Sequence, residues 1–365
     1  MDVSLKKSTS YTDFEKIGLL GAGSCGKVCL VKNKTTQCAY AMKILKKKNN
    51  DNKLIKALNE QRVLAHIDHP FVAKLFFCFQ SKMNVYIVMQ YCAGGDFYNV
   101  LKRQPNNCLT EDQTKFYSSC VLVALEYLHL QGIVYRDLKP ENILMHESGH
   151  IVLTDFDLSI CSHDKVISKS FIKPYSHCCG VCSEPDIKCS GQVGTAEYMA
   201  PEVIDNKNYS AIIDWWSFGI LLFEMLYGDT PFRGKTANDT FKLIHECNLK
   251  IPKYTPNNIK LNYKTKDLIK HLLVHNPAKR LGFNGGSTEI KDHPYFHDVK
   301  FPLLKNQTPP IIPTLSGKYD YHYFDAQSPN YTIGDTTDVI DPSMLQQDDV
   351  WKAFDNINRC EVVKG

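Results

Sequence analysis

No apolar run opens this sequence. The first residues, MDVSLKKSTSYTDF, lack the hydrophobic core of a secretory leader, so export is not expected. A bilayer-spanning stretch is missing as well. The longest apolar run, WWSFGILLFEMLYG, follows Asp214, is broken by Glu224 and is too short to cross a membrane. Charge of one sign is not in excess: 43 Lys and Arg stand against 39 Asp and Glu, a formal net charge of +4, which argues against nucleic acid as a partner. The basic stretch KILKKKNNDNK is read as a solvated turn, and no internal repeat is apparent. Cysteine, by contrast, is plentiful at 14 residues, and without a leader these thiols are expected to be reduced in an intracellular protein.

What is present suits a globular chain. Hydrophobic residues make up 43% and charged residues 22% of 365 residues, enough for two lobes or two domains with substantial cores. From Phe14 to about Tyr91, FEKIGLL, KVCLVKN, CAYAMKIL, VAKLFFCF and NVYIVMQY read as strands. One amphipathic helix interrupts them, KLIKALNEQRVLAHI, with Leu54, Leu58 and Leu64 at near-helical spacing. After CAGGDF (92–97) the pattern turns helical, as in EDQTKFYSSCVLVALEYLHLQG, which Thr110 and Gln113 open as a capping box and Gly132 closes. Ile160 to Gly191 is irregular, rich in Ser, Cys and His, and is read as an insertion or loop. From about His297 the chain, with TPPIIP and clustered aromatics, is read as an extended tail.

GAGSCGKV (21–28) fits G-x-G-x-x-G-x-V. Dinucleotide-binding folds use the same glycines, but there the turn opens a helix. Here KVCLVKNKTTQCAYAMKIL reads as a hairpin turning near Asn33 to Thr36. Strands joined by such a turn suit a flap whose backbone N–H groups cover nucleotide phosphates, so a dinucleotide-dependent oxidoreductase is set aside. On the next strand Lys43 is placed to pair with the α- and β-phosphates, and Glu60, in ALNEQRVL, is the carboxylate to hold it.

YRDLKPEN (135–142) gathers an Asp, a Lys and an Asn in one loop. Phosphoryl transfer needs a carboxylate to orient the attacking hydroxyl and accept its proton, Asp137. It needs a cation near the transferred group, Lys139, and oxygen ligands for Mg²⁺, Asn142 and Asp155. Alignment and charge stabilisation do most of this work, so the groups must be prepositioned.

With these residues the chain resembles a protein kinase of the serine/threonine type, marked by Lys139. GTAEYMAPE (194–202), DWWSFGILLFEML from Asp214 and NPAKRLG ending at Gly282 extend the resemblance over about Phe14 to Phe296. It implies an α+β, bilobal protein kinase fold with a β-rich N-lobe and a mainly helical C-lobe. The implied layout is an N-terminal extension 1–13, a kinase domain 14–296 and a tail 297–365. Within the domain the N-lobe is 14–91, the C-lobe 92–296, and an insertion of about 160–191 lies in the activation segment. ATP and Mg²⁺ are implied as cofactors, with Mn²⁺ as an alternative. Nucleotide contacts are implied for Leu20, Gly21, Ala22, Gly23, Ser24, Cys25, Gly26, Lys27, Val28, Ala41, Lys43, Gln90 and Cys92. By the same analogy Glu202 pairs with Arg280, Asp214 supports the catalytic-loop backbone, and Thr195 bridges Asp137 and Lys139.

Tyr135 in place of the usual His, the helix spelling LNEQRVL and the tail FPLLKNQTPPIIP are similar to the AGC group. DVWKAFDNI resembles that group's hydrophobic motif, with Trp for the usual first Phe. Trp351 and Phe354 would dock beside the Glu60 helix, and Asp355 would supply a fixed charge where relatives carry a phosphorylated residue. TDFDLS (154–159), with Asp157 where Gly is usual, and the insertion before GTAEY resemble the branch of plant phototropin-type kinases and fungal flippase-regulating kinases, the latter more closely. Lipid-flippase or membrane-polarity substrates are therefore among those implied. Asp96, Glu141 and Glu224 match positions that bind basic residues, so a Ser or Thr preceded by Arg is the expected substrate. The usual activation-loop phosphosite falls on Gly191. Ser190 is the neighbouring candidate, Arg136 its partner, and activation by an upstream kinase is in question.

Cys179 and Cys182, with Cys178, His177 or Cys189, offer four zinc ligands at a spacing that matches no recognised module. Asp157 offers a second metal ligand. A pseudokinase scaffold, binding nucleotide and partners without catalysis, is the alternative function, and the complete set Lys43, Glu60, Asp137, Lys139, Asn142 and Asp155 argues against it. A monomer is expected, cytoplasmic, with membrane recruitment and nuclear entry left open.

Overall fold

The computed structural model describes residues 9–23, 26–47, 51–161, 189, 191, 193–324, 354 and 357–358, the side chains of 23, 51–54 and 358 excepted. By internal contacts the chain forms two units. The first takes residues up to Asp68, Ala73–Gly95 and those from Thr314 onward; the second takes His69–Val72 and Asp96–Pro313.

The first unit is an antiparallel sheet with one helix. Strands β1 (Phe14–Gly23), β2 (Gly26–Asn33), β3 (Ala39–Lys46), β4 (Leu75–Gln80) and β5 (Asn84–Gln90) take the order β1-β2-β3-β5-β4. Helix α1 (Asp51–His66) lies between β3 and β4 in sequence. Alternation decides the faces. Cys29 and Val31 on β2 meet Tyr40 and Met42 on β3, and Phe14, Phe77, Phe79, Tyr86 and Val88 complete that core. Its rings pack edge-on or stacked, Phe14 lying 5.6 Å from Phe77 and 5.9 Å from Phe79.

The opposite set of alternating residues, Leu20, Leu30 and Ala41, joins Tyr91 and Ala93 and receives Leu315, Tyr319, Tyr321 and Phe324 from the tail. Tyr91 donates its hydroxyl to the Asp320 carbonyl, and Tyr319 donates to the Gln37 carbonyl at 2.8 Å. The Tyr321 ring lies only 2.6 Å from where a Cβ at Gly18 would stand, so only glycine fits there. Still further along, a two-residue strand β10 (Ile357–Asn358) pairs antiparallel with β4 and makes a sixth strand. The aromatic segment KYDYHYF therefore has a definite place in this unit.

The second unit is mainly helical. Helix α2 (Phe97–Lys102) is followed by α3 (Glu111–Leu130), which starts on the reciprocal bonds of Thr110 and Gln113. Short strands β6 (Ile133–Val134) and β9 (Ile160–Cys161) pair with each other, as do β7 (Ile143–Met145) and β8 (Ile151–Leu153). Helices α4 (Pro201–Ile204), α5 (Ile212–Tyr227), α6 (Ala237–Glu246), α7 (Tyr263–Leu272) and α8 (Gly286–Lys291) complete it. The run that was too short for a membrane lies in α5, largely apolar because it is largely buried, with Trp215, Trp216, Phe218 and Leu221 fully covered. Among the described residues no helix is long and apolar enough to cross a membrane. Sheet and helices together are the α+β fold that the resemblance implied. One strand differs: the run begun at Val72 starts as β4 only at Leu75, because Val72 bridges Leu153 in the second unit.

Candidate active site

In the first unit the glycine turn closes the β1–β2 hairpin. Gly21 faces Val28, Ala22 faces Lys27 and Gly23 faces Gly26 across the ladder. Ser24 and Cys25, between Gly23 and Gly26 in sequence, lie outside the described residues. Lys43, on the next strand, stands opposite Val28 and Ile87. Its Nζ is 2.6 Å from Glu60 Oε2, and the two side chains are 10% and 1% exposed. Desolvating such a pair costs about as much as its attraction returns, so its merit is to fix the ammonium in one place. Leu20, Val28 and Ala41 share the apolar cluster that the tail covers, Gln90 ends β5, and Cys92 is buried.

The second unit holds the catalytic loop between β6 and β7. Asp137 Oδ2 accepts from Lys139 Nζ at 2.8 Å and from Asn142 Nδ2 at 2.8 Å. Thr195 donates to Asp137 Oδ1 at 3.3 Å and accepts from Lys139 at 2.9 Å. Asn142 Nδ2 also donates to the Asp137 carbonyl at 2.9 Å, which commits the amide nitrogen and leaves Oδ1 to offer a cation. The loop backbone is held from below. Asp214 accepts the N–H groups of Tyr135 and Arg136, each at 2.9 Å, and pairs with buried His129 at 2.8 Å. Glu202 and Arg280 form a two-pronged pair at 2.6 and 2.9 Å, with the guanidinium over Trp216.

Tyr135 is fully buried. Its hydroxyl donates to the Thr154 carbonyl and lies 3.4 Å from that of Asn142, so the phenol ties the catalytic loop to the residue before Asp155. Asp157 stands where Gly is usual, but the left-handed torsion of this turn lies at Asp155. Asp155 has the left-handed φ, 57°, while Asp157 is not among the positive-φ residues. Asp can adopt either region, so this conformation asks for no glycine at 157.

The three acidic candidates for substrate binding differ. Glu224 accepts a hydrogen bond from the Tyr198 hydroxyl. Burial pushes its carboxyl up to about 7, with the charges of Glu141, Glu197 and Asp229 acting the same way and the Tyr198 bond opposing. Glu141 is exposed. Asp96 caps α2, both its oxygens accepting from Asn99 at 2.8 Å. Arg136 donates to the Leu158 carbonyl at 2.6 Å and to the Tyr209 hydroxyl at 3.0 Å. Ser190, Trp351, Asp355, His177, Cys178, Cys179 and Cys182 lie outside the described residues. Phe354 is fully buried. Sequence reasoning missed Tyr198, Tyr209 and His129. Tyr198 stood inside GTAEYMAPE, but nothing local told that its hydroxyl reaches Glu224.

The protein kinase domain family matches residues 14–296. Flippase kinase 1 of Saccharomyces cerevisiae is 45% identical over 90% of this chain and 37% of its own length. Serine/threonine-protein kinase nrc-2 of Neurospora crassa is 43% identical over 82% of the chain and 49% of its own. Phototropin-2 of Oryza sativa subsp. japonica is 41% identical over 85% and 35%. The chain thus spans a third to a half of the length of these curated relatives. With its glycine hairpin, its Lys43–Glu60 pair and its Asp137 loop, the chain belongs to the protein kinase family, beside serine/threonine kinases of the AGC group.

Proposed function

We propose that this chain transfers the γ-phosphate of ATP to Ser or Thr hydroxyls of protein substrates. The observation that carries this reading is the Asp137 carboxylate. Lys139, Asn142 and Thr195 orient it through hydrogen bonds of 2.8, 2.8 and 3.3 Å, the prepositioning that phosphoryl transfer demands.

In the first unit the Val28 and Ala41 side chains would receive the base, and Lys43, steadied by Glu60, would hold the phosphates. In the second unit Asp137 would align the substrate hydroxyl and accept its proton. Lys139 would offset the charge that develops on the transferred group. Asn142 Oδ1 and the Asp155 carboxylate are hard oxygen donors, the set that suits Mg²⁺. That ion would supply charge neutralisation at the phosphates.

Preference for Arg before the acceptor residue rests on Glu141 and Glu224, since a guanidinium pairs two-pronged with a carboxylate. A lipid-flippase or membrane-polarity substrate is proposed on the likeness to flippase kinase 1. The test is a Ser peptide series differing only in its preceding Arg residues, with labelled ATP and Mg²⁺. Transfer should fall about tenfold when the Arg residues become Ala. Equal transfer to both peptides would remove the specificity claim, and absence of transfer to any would favour a pseudokinase scaffold.

A further inference from the structure

We propose that Tyr209 is a positioning residue that fastens the end of the activation segment to the catalytic loop without a phosphate. The inference rests on the kinase reading above. Kinases of this type commonly order that segment by pairing a phosphorylated residue with the Arg of the catalytic loop. Here the corresponding position is Gly191, which has no hydroxyl and a φ of +97°. A Ser or Thr would be strained in that conformation.

The Arg136 guanidinium is engaged by other groups. Its Nε donates to the Leu158 carbonyl at 2.6 Å, beside the Asp-Phe-Asp turn, and its Nη1 donates to the Tyr209 hydroxyl at 3.0 Å. The same hydroxyl donates its proton to the Gly191 carbonyl at 3.0 Å. One neutral group thus accepts from the catalytic loop and donates to the activation segment. A main-chain clasp reinforces it: Cys189 N–H donates to the Tyr209 carbonyl at 2.7 Å, and Tyr209 N–H returns the bond at 2.9 Å. Tyr209 and Cys189 are both buried, at 5% and 2% exposure, so water competes little for these bonds. Burial also pushes the Cys189 thiol up to about 11, which keeps it protonated and makes it a packing group in this clasp.

Gly191 matters through its carbonyl, which accepts from Tyr209 at 3.0 Å, and among the described residues nothing lies within 4 Å of where its Cβ would stand. A fixed hydroxyl replaces a removable anion, so the fastening of Cys189 and Gly191 becomes a constant property of the fold.

The experiment uses the whole chain, phosphatase-treated and checked by mass spectrometry, with peptide kinetics and amide hydrogen exchange read side by side. Wild type and Ser190→Ala should keep kcat within about twofold of the untreated protein. Tyr209→Phe should lower kcat about tenfold at nearly unchanged KM for ATP, as expected for loss of a hydrogen bond to a charged group. Exchange at the Cys189 amide should rise about tenfold in Tyr209→Phe and stay protected in phosphatase-treated wild type. Loss of activity on phosphatase treatment or in Ser190→Ala overturns the proposal, as does Tyr209→Phe with wild-type kcat or unchanged Cys189 exchange. Exchange reads the clasp even if no phosphate is transferred, so failure of the kinase reading shows as absent transfer with the exchange difference intact. A Tyr209→Phe protein that does not fold leaves the phosphatase and Ser190→Ala arms to decide.

Discussion

Glu224 carries a carboxyl whose charge changes where cells live. Its folded value is raised to about 7, chiefly by burial, so it is mostly neutral at pH 6 and mostly charged at pH 8. If Glu224 binds the substrate Arg, KM for an Arg-containing peptide should fall about tenfold between those pH values. Glu224→Gln should flatten that profile; a profile equally steep in the variant would remove the residue from substrate recognition. The stability sign runs the other way. A carboxyl with a raised folded value binds its proton better when folded, so its contribution declines as pH rises from the unfolded value through 7.

Asp157 belongs to the same scale. Its backbone lies outside the left-handed region that Asp155 occupies, so the present conformation is open to it, while glycine would reach alternative torsions at less cost. Asp157→Gly should therefore speed exchange between conformations of the Asp-Phe-Asp turn, visible by relaxation dispersion; equal rates would contradict this. What could be read at this scale was the grouping of Asp137, Lys139 and Asn142, which a short local spelling brings together. Tyr198 and Tyr209 could not be read, because each gains its meaning from a partner many positions away.

Elements show how the second unit holds its catalytic loop. Arg280 is 1% exposed and makes a two-pronged pair with Glu202. Arg280→Met should destabilise the chain by about 3–5 kcal/mol, because Glu202 would remain as a buried, unpaired charge. The check is a lower denaturant midpoint at constant slope. A loss under about 1 kcal/mol would mean the pair contributes little beyond its packing. In the first unit, Phe354 is fully buried and β10 follows close behind it on the edge of β4. Phe354→Ala should release that short strand and raise amide exchange at Phe77 and Cys78 on β4; unchanged exchange would show that β10 holds without its anchor. The five-strand pattern and α3 with its caps were legible because period and capping are local signals. A two-residue strand and the seating of Tyr319, Tyr321 and Phe324 have no such signal, since pairing partners far apart in sequence decide them.

At the scale of the whole molecule, each unit holds one of the two sets of groups that the proposed function needs. The first fixes Lys43 through Glu60, and the second fixes Asp137 through Lys139, Asn142 and Thr195. This division explains why the family was legible early: each proposed group sits in a short motif. It also explains why partners were less legible, since the chain spans only 37% of the flippase kinase 1 length and 49% of nrc-2.

The most direct measurement is transfer of labelled phosphate from ATP, with Mg²⁺, to a Ser peptide carrying preceding Arg residues. The wild-type chain should label the serine, and Asp137→Ala should lower the rate at least a thousandfold, as loss of a group at the reacting hydroxyl does. No transfer by the wild type, or equal transfer by Asp137→Ala, would contradict the account.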